Sequence, residues 1–418
     1  MKKTDEFMIL NEEDWSFAGE DTKYLTHGFH PYPARMIPQI ANRLITRYSK
    51  PGDLVLDPFC GSGGVLVEAR LLGRNSVGID INPLAIIIAR AKTTPINPKL
   101  ILSSWRELKE KIGEDIRSLR FREFDVEPLR IPNISYWFKP QVAKELTIIR
   151  HFLDGVEDSD LYHFFATCFS VTVREVSNLR TDEFKIYRLP PEKLEKHNPN
   201  VFQIFVENVE ERIRRMAEFY GLAPKDVACD VLLGDSRKLP LKNGSVDLVV
   251  TSPPYGDSRT TVAYGQFSKF SSLWLGLDEN IVTNVDKISL GGGLRKFKNL
   301  PSETLHTTIE EISRRSKERA RETLWYFTDL FECLEQLHGA LRRGGYCCFV
   351  VGNRTVRRVQ VPTDKIIVEL GENLGFKHIT TIYRRIPSKR MPWENAPENI
   401  PGERCKTISG ESIVILAC

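Results

Sequence analysis

The sequence predicts an α/β fold in which a mostly parallel, seven-stranded sheet carries helices on both of its faces. Two observations predict it. Between residues 54 and 90, short apolar runs alternate with segments whose apolar residues have helical spacing, which is typical of parallel strands joined by helices. Beyond residue 228 five further apolar runs of strand length follow. The second half therefore completes the sheet that the first half begins.

The first part of the chain contains two strands and three helices. Proline is accepted in the first turn of a helix, and glycine commonly follows a helix end. The predicted elements are a helix at Pro38–Tyr48, a strand at Leu54–Leu56, a helix from Gly64 to Gly73, a strand at Ser76–Ile79 and a helix that begins at Pro83.

The later part contains the remaining strands, which are predicted at Val231–Leu233, Val246–Val250, Gly345–Val351, Lys377–Tyr383 and Ser412–Ala417, with helices near Leu324–Leu341 and Lys365–Leu374. Two stretches break the alternation. We therefore expect one discontinuous domain of residues 23–95, 228–255 and 321–418, with a mostly helical insertion at 96–227 and a looser insertion at 256–320.

The composition is that of a soluble globular protein. Of the 418 residues, 41% are hydrophobic and 27% are charged, and the net charge is only +4, so any basic surface must be local. No apolar run approaches the roughly 18 residues of a membrane span, and the N-terminus lacks the apolar core of a signal peptide. The eight cysteines form no C-x-x-C pair, so neither a metal nor a disulfide framework is expected. We expect a cytoplasmic protein without a membrane partner.

Acidic residues close three successive strands. Asp57 follows the first strand and precedes the loop Gly61–Gly64, Asp80 closes the second strand, and Asp235 follows the third. The loop has neither the G-x-G-x-x-G nor the G-K-[ST] spacing of phosphate-binding loops, and an acid beside it favours a cation. A single Asp could simply cap the next helix. Three of them with the glycine loop suit a nucleoside that bears a positive amino acid tail, which predicts S-adenosylmethionine.

The run VDLVVTSPPYG ends a predicted strand in two prolines and an aromatic residue. Prolines fix φ and remove backbone donors, so they stiffen the loop. Ser252 Oγ and the Pro253 carbonyl are hydrogen-bond acceptors at the end of this strand, and Tyr255 adds a flat aromatic face.

These segments resemble the motifs of the amino-group DNA methyltransferases. PGDLVLDPFCGSGGVLVEARLLGRNSVGIDINP resembles the cofactor motif of that family, HGFHPYPARMIP the segment that precedes it, and SVDLVVTSPPYGDS the catalytic motif. The order is that of the unpermuted members, and the serine form of the catalytic motif is usual in the cytosine-N4 branch. The resemblance implies a Rossmann-like fold dependent on S-adenosylmethionine. It also implies double-stranded DNA as the partner and direct methyl transfer to a flipped cytosine.

The resemblance also implies roles for individual residues. The expected catalytic residues are Ser252, Pro253, Pro254 and Tyr255. The expected cofactor contacts are His30, Pro33, Arg35, Asp57, Phe59, Gly61, Gly63, Asp80, Asn82, Asp235 and Ser236. Cys60 is expected to be a packing residue.

REVSNLRTDEFKIYR, residues 174–188, also looks like a segment of the cytosine-N4 branch. Basic residues bind phosphates, and the expected DNA contacts are Arg174, Arg180, Lys185, Arg188, Arg259, Arg295 and Lys296. Further basic residues that could face DNA are Arg354, Arg357, Arg358, Arg384, Arg385, Lys389 and Arg390. Insertion 256–320, with part of 96–227, is expected to read the DNA.

Three alternatives stay open at this point. Adenine N6 could replace cytosine N4 as the target, because both kinds of enzyme share the chemistry of the catalytic loop (TSPPY, residues 251–255). An RNA guanine-N2 methyltransferase could carry a similar loop, although it usually has an N-terminal RNA-binding domain. A non-catalytic DNA-binding subunit is the third, and the intact cofactor and catalytic motifs speak against it. A cognate restriction endonuclease is a further expected functional partner.

Overall fold

The computed structural model describes residues 13–118, 131–182, 184–257, 261–294, 296, 298–387, 394–395, 405–406 and 408–418. The strands are β1 (Leu54–Asp57), β2 (Asn75–Asp80), β3 (Cys229–Leu233), β4 (Val246–Thr251), β5 (Leu341–Val351), β6 (Thr355–Val356), β7 (Val359–Gln360), β8 (Lys377–Arg385), β9 (Glu394–Asn395), β10 (Cys405–Lys406) and β11 (Gly410–Ala417). The seven strands expected from the sequence are all present. In the described part of the chain, no helix is long and apolar enough to span a bilayer.

The central sheet has the order β3-β2-β1-β4-β5-β11-β8. The contacts among β3, β2, β1, β4 and β5 are parallel, whereas β11 is antiparallel to both of its neighbours. The prediction of a mostly parallel sheet is therefore confirmed. The strand order reverses direction at β1 and β4, and ligands of open α/β sheets bind at the carboxyl ends of the strands beside such a point.

A short 3-10 helix at Leu25–Phe29 precedes the α-helices. These are α1 (Pro38–Tyr48), α2 (Gly64–Leu71), α3 (Pro83–Thr93), α4 (Pro98–Ser118), α5 (Ile134–Trp137), α6 (Pro140–Asp154), α7 (Ser159–Val176), α8 (Pro191–Lys196), α9 (Val201–Leu222), α10 (Tyr264–Trp274), α11 (Glu279–Ile288), α12 (Glu303–Arg315), α13 (Lys317–Ala340) and α14 (Thr363–Leu374). The predicted helix at residues 38–48 has the expected bounds, and α13 begins several residues earlier than predicted.

Helices cover both faces of the sheet, as predicted. On one face α1 and α2 pack against alternate residues of the strands, such as Val55, Leu248 and Val250. On the other face α12, α13 and α14 cover the intervening residues, such as Leu56 and Val249. Alternate side chains of a strand point to opposite faces, so each central strand is buried on both sides. Continuous apolar runs are the expected sequence signal of such strands.

The two insertions share one hydrophobic interior. Helices α4, α6, α7 and α9 of residues 96–227 contribute most of its side chains, and α7 is buried almost all round. Helix α10, from the second insertion, adds Phe267, Phe270 and Trp274 to the same cluster. Trp274 has no exposed surface. The first helix of the second insertion is therefore packed as firmly as a core helix.

Candidate active site

A cleft opens at the carboxyl ends of β1, β2 and β4. Its empty volume, including the open mouth, is about 920 Å³. The predicted cofactor residues that line it are Pro33, Arg35, Asp57, Phe59, Gly61, Asp80, Asn82, Asp235 and Ser236. Ser252 and Pro254 of the catalytic loop line the same cleft. The cofactor and catalytic motifs therefore meet at one site.

The glycine loop makes the floor of this cleft. Gly61 has φ +47° and its amide donates to Asp80 Oδ2 at 2.9 Å, which ties the loop to the end of β2. Gly63 is left-handed at φ +77° and precedes the first residue of α2. A Cβ on Gly63 would lie 2.9 Å from Ala89 Cβ, so α3 packs directly against the loop. Gly63 is not among the residues that line the cleft, and its observed role is this close packing.

Gly63→Ala is expected to lower the free energy of unfolding by about 3 kcal/mol, through a left-handed backbone and a clash with Ala89. Urea denaturation measures this change. Gly52→Ala is the matched control, because Gly52 has φ +87° and a Cβ there would meet nothing within 4 Å. The control should cost only about 1–2 kcal/mol, the strain of a left-handed backbone alone. Equal losses in the two variants would show that Ala89 does not restrict the loop.

Two carboxyl groups face the cleft, of which Asp57 is buried and Asp80 is half-buried. Asp57 Oδ1 accepts from Thr251 Oγ1 at 2.7 Å and from the Phe59 amide at 3.1 Å. Asp80 accepts from the Gly61 amide and, at 2.8 Å, from the Asn82 amide. Burial nevertheless raises the pKa of Asp57 to about 7 and that of Asp80 to about 6. Carboxyls in this environment favour a cationic ligand, which stabilises their ionised form.

The affinity for S-adenosylmethionine is expected to rise with pH from about 5 to about 8 and then level off. Below the raised pKa values a fraction of each carboxyl carries a proton, and a cationic ligand must displace it. Calorimetry in buffers of different ionisation enthalpy should detect proton release that declines toward neutral pH. Asp57→Asn should remove part of this release. An affinity independent of pH in the unmodified protein would contradict the prediction.

The third acidic strand end is already paired. Asp235 forms an ion pair with Arg237 at 2.6 Å, and Arg237 also reaches the fully buried Asp329 at 3.0 Å. Ser236 Oγ donates to the Pro58 carbonyl and so links the ends of β3 and β1. Asp235 and Ser236 line the cleft, and the contacts that they make in the structure fix its wall.

Tyr32 and Tyr264 form a wall that the sequence did not predict. Their rings stack with centroids 6.0 Å apart at an interplanar angle of 27°. Asn82 Nδ2 donates to the Tyr32 hydroxyl at 3.1 Å and to Ser268 Oγ at 3.0 Å. The second insertion therefore helps to build the cleft, and the end of α11 adds Ile288 to the same wall.

The expected cofactor contact of His30 is corrected by the structure. His30 is 1% exposed and does not line the cleft. Its ring lies 6.0 Å from that of Phe267, in the interior. Tyr32, two residues later, takes the position at the cleft.

The catalytic loop is held from both sides. Pro253 is buried, and the Pro254 carbonyl accepts from the Tyr326 hydroxyl at 2.7 Å. Tyr255 is half-buried, and its hydroxyl donates to Glu411 Oε1 at 2.8 Å. Beyond the loop, Asp257 is fully buried and pairs with Arg354 at 3.0 Å. These bonds hold Ser252 at the cleft.

The expected DNA contacts divide into separate groups. Arg180, Lys185 and Arg188 belong to a basic loop (residues 178–189) closed by a bridge between Leu179 and Arg188. Lys296 is exposed. Arg259 and Arg295, and further along Lys389 and Arg390, lie outside the described residues.

Arg174 is predicted to contact DNA, but the structure places it in the interior. It is 7% exposed, its guanidinium lies 3.8 Å from the Phe267 ring centroid, and it donates to the Phe267 carbonyl at 2.9 Å. Arg354 and Arg384 are likewise buried, in ion pairs with Asp257 and Glu411. A guanidinium held in this way is not exposed to a phosphate. Arg174 instead helps to hold α7 against α10.

The basic loop packs beside the cleft. Phe184 contacts Phe267 with ring centroids 6.3 Å apart, and Phe267 lies on α10, the helix that carries Tyr264. Arg188 places its guanidinium 4.0 Å from the ring centroid of the half-exposed Tyr136. The loop therefore presents basic and aromatic side chains on an element anchored to the wall of the cleft.

The cleft fits S-adenosylmethionine. Its glycine loop lies close to Tyr32, since a Cβ on Gly61 would come within 3.3 Å of the Tyr32 ring. Asp57 and Asp80 supply negative charge, and Tyr32, Phe59 and Ile81 supply apolar surface. Asp80 would hold the ribose hydroxyls and Asp57 the cationic end.

Comparison with known proteins gives a consistent result. A family profile described as DNA methylase, covering N6 and N4 methyltransferases, matches residues 9–90. Over 97% of its length the chain is 38% identical to the Type II methyltransferase M.MvaI of Kocuria varians, 94% of which is covered. It is 24% identical to the Type II methyltransferase M.MjaII of Methanocaldococcus jannaschii, over 72% of this chain and 71% of that one. A tRNA (guanine(10)-N2)-dimethyltransferase of the same archaeon is 39% identical, but only over 18% of this chain and 21% of its own.

Proposed function

Since this chain belongs to the DNA methylase family that modifies exocyclic amino groups, we propose that it methylates the N4 amino group of cytosine in double-stranded DNA. The protein is a DNA methyltransferase that uses S-adenosylmethionine and acts at specific sites. What we propose is the identity of the target base, which is cytosine. The observation that carries it is the serine of the S-P-P-Y run, Ser252, on the wall of the cofactor cleft.

The residues of the catalytic loop act by positioning the amine. An exocyclic amine is a weak nucleophile, because its lone pair is delocalised into the ring. S-adenosylmethionine supplies a methyl group made electrophilic by its sulfonium. Ser252 Oγ and the Pro253 carbonyl each accept a hydrogen bond from one N–H group of the amine. Together these hydrogen bonds direct the nitrogen lone pair toward the methyl group. Positioning of this kind can contribute up to about 7–11 kcal/mol.

The rigidity of the loop supports this role. The two prolines restrict the backbone, and the bond from Tyr326 fixes the Pro254 carbonyl. Acceptors that are already in place need no reorganisation when the amine arrives. The target base must leave the duplex to reach them. Tyr255 would contact the flipped base, and the basic loop would hold the DNA backbone.

Identification of the methylated base tests the proposal. The protein is incubated with labelled S-adenosylmethionine and duplex DNA, and the DNA is digested to nucleosides. Label in N4-methylcytosine is expected. Label only in N6-methyladenine would overturn the cytosine assignment while leaving the family assignment intact. A parallel reaction with a tRNA transcript tests the guanine-N2 alternative, and no incorporation is expected there.

Lys185→Ala is expected to weaken DNA binding about equally for all sequences and to reduce the slope of log K against log salt by about 1. Fluorescence anisotropy over a salt series measures both quantities. Lys111→Ala is the control, an exposed lysine of α4 that pairs with Glu107. An unchanged slope in Lys185→Ala would remove the basic loop from the DNA interface.

A cognate restriction endonuclease is proposed as the functional partner. The relatives named above are Type II methyltransferases, and such a role requires that methylation block cleavage at the shared site. DNA methylated by this protein should resist an endonuclease that cuts the mapped sequence. Cleavage of fully methylated DNA by every endonuclease that recognises this sequence would contradict the pairing.

A further inference from the structure

A chain of polar side chains leads from the catalytic serine to the C-terminal strand. Ser252 Oγ lies 3.4 Å from the Tyr255 hydroxyl, and that hydroxyl donates to Glu411 Oε1 at 2.8 Å. Glu411 is far away in sequence and lies near the start of β11. Nothing in the catalytic motif itself requires a carboxylate at this position.

Glu411 is held firmly. Its second oxygen accepts from Arg384, its cross-strand partner on β8. Arg384 also donates from Nε to the Trp15 carbonyl at 2.8 Å, and its side chain is 4% exposed. The Tyr255 ring lies against Gly352, where an added Cβ would come within 2.8 Å of the ring. The tyrosine is therefore fixed at both its ring and its hydroxyl.

The carboxylate sets the direction of the hydrogen bonds. An ionised carboxylate only accepts, whereas serine and tyrosine hydroxyls both donate and accept. Tyr255 must therefore donate to Glu411, and its oxygen is left to accept the proton of Ser252. The hydroxyl of Ser252 then has only lone pairs to offer the cleft. Burial and the neighbouring Glu411 raise the pKa of Tyr255, so it stays a donor at neutral pH.

We propose that Glu411 is a positioning residue that acts through Tyr255 to make Ser252 a hydrogen-bond acceptor toward the amine of the substrate. Aspartate or asparagine would offer an acceptor oxygen without help, but a serine hydroxyl can present its proton instead. The inference rests on amino-group methylation and holds for either base. At 3.4 Å the bond between Ser252 and Tyr255 is longer than the usual 2.7–2.8 Å between hydroxyls. Catalytic hydrogen bonds commonly shorten when substrate enters.

A double-variant cycle tests the proposal. Tyr255→Phe and Glu411→Gln are each expected to slow single-turnover methyl transfer about tenfold, with S-adenosylmethionine affinity unchanged within about twofold. Both variants interrupt the same chain of hydrogen bonds. The double variant should therefore be no more than about twofold slower than the slower single variant. Independent effects that multiply to about 100-fold would overturn the proposal.

A second experiment separates the orientation of the Ser252 hydroxyl from general damage to the catalytic loop. In a Ser252→Asn background, the amide oxygen accepts without assistance, so Tyr255→Phe should slow transfer less than about threefold. The same tenfold loss in both backgrounds would overturn the proposal. If Ser252→Asn is inactive, the double-variant cycle of Tyr255→Phe and Glu411→Gln alone decides whether the proposal holds.

The controls distinguish failure of the proposed function from failure of the role proposed for Glu411. Tyr383→Phe, at an exposed tyrosine next to Arg384 on β8, should transfer at the unmodified rate, and urea denaturation should confirm that all variants are folded. Failure of the unmodified protein to methylate any amino group of DNA would overturn the proposed function. Normal activity with multiplying effects would overturn only the role of Glu411.

Discussion

Ser252→Ala is expected to lower the rate of methyl transfer about 100-fold or more. Removal of one preorganised hydrogen-bond partner from a reacting centre typically has an effect of this size. Without Oγ the amine loses one of the two acceptors that orient its lone pair. Rapid-quench measurement under single-turnover conditions, with labelled S-adenosylmethionine and duplex DNA, reports this step directly.

Cofactor affinity separates this effect from a damaged cleft. Ser252→Ala should bind S-adenosylmethionine within about twofold of the unmodified protein, because the variant removes one hydroxyl at the edge of the cleft. Ser245→Ala is a matched control at an exposed serine whose hydroxyl bonds only the Lys242 carbonyl among the described contacts. Normal turnover in Ser252→Ala would disprove the proposed role of the catalytic loop.

Asp80→Ala is expected to weaken S-adenosylmethionine binding about 100-fold, since hydrogen bonds to a charged group contribute about 1.5–3 kcal/mol. The carboxylate would accept from the ribose hydroxyls, and it also fixes the glycine loop through the Gly61 amide. Calorimetric titration with the cofactor measures the dissociation constant.

The matched variant Asp80→Asn keeps the shape of the side chain and should lose less affinity than Asp80→Ala. Once the cofactor is saturating, the rate of transfer in Asp80→Ala should return to within about tenfold of normal. A large rate loss at saturation with normal affinity would place Asp80 in the chemical step instead.

Much of the fold could be predicted because its signals are local. Strands buried on both faces read as short apolar runs, and glycine or proline marks the helix ends. The position of the site could be predicted for a related reason. The carboxyl ends of parallel strands share one edge of the sheet, so Asp57, Asp80 and Ser252 lie close together there.

The residues that were missed depend on contacts between distant parts of the chain. Tyr264 reaches the cleft because α10 packs onto the first insertion. Glu411 reaches the catalytic loop because β11 lies between β5 and β8. No local pattern marks either position. Arg174 is predicted to contact DNA from its charge and its basic neighbours, whereas the nearly continuous apolar run of α7, HFFATCFSVTV, indicates that its helix is internal.

We propose that residues 256–320, with part of 96–227, read the DNA, and their shared interior then limits how target specificity can diverge. Phe267, Phe270 and Trp274 interlock with helices of residues 96–227. Transplanting residues 256–320 from a relative would therefore leave cavities or clashes in the recipient, each costing several kcal/mol for large buried side chains. Natural or engineered changes in the recognised sequence should accumulate at exposed loop positions while this interlocked face stays intact. New specificities in such a scaffold would arise by point substitution more readily than by exchange of a whole module.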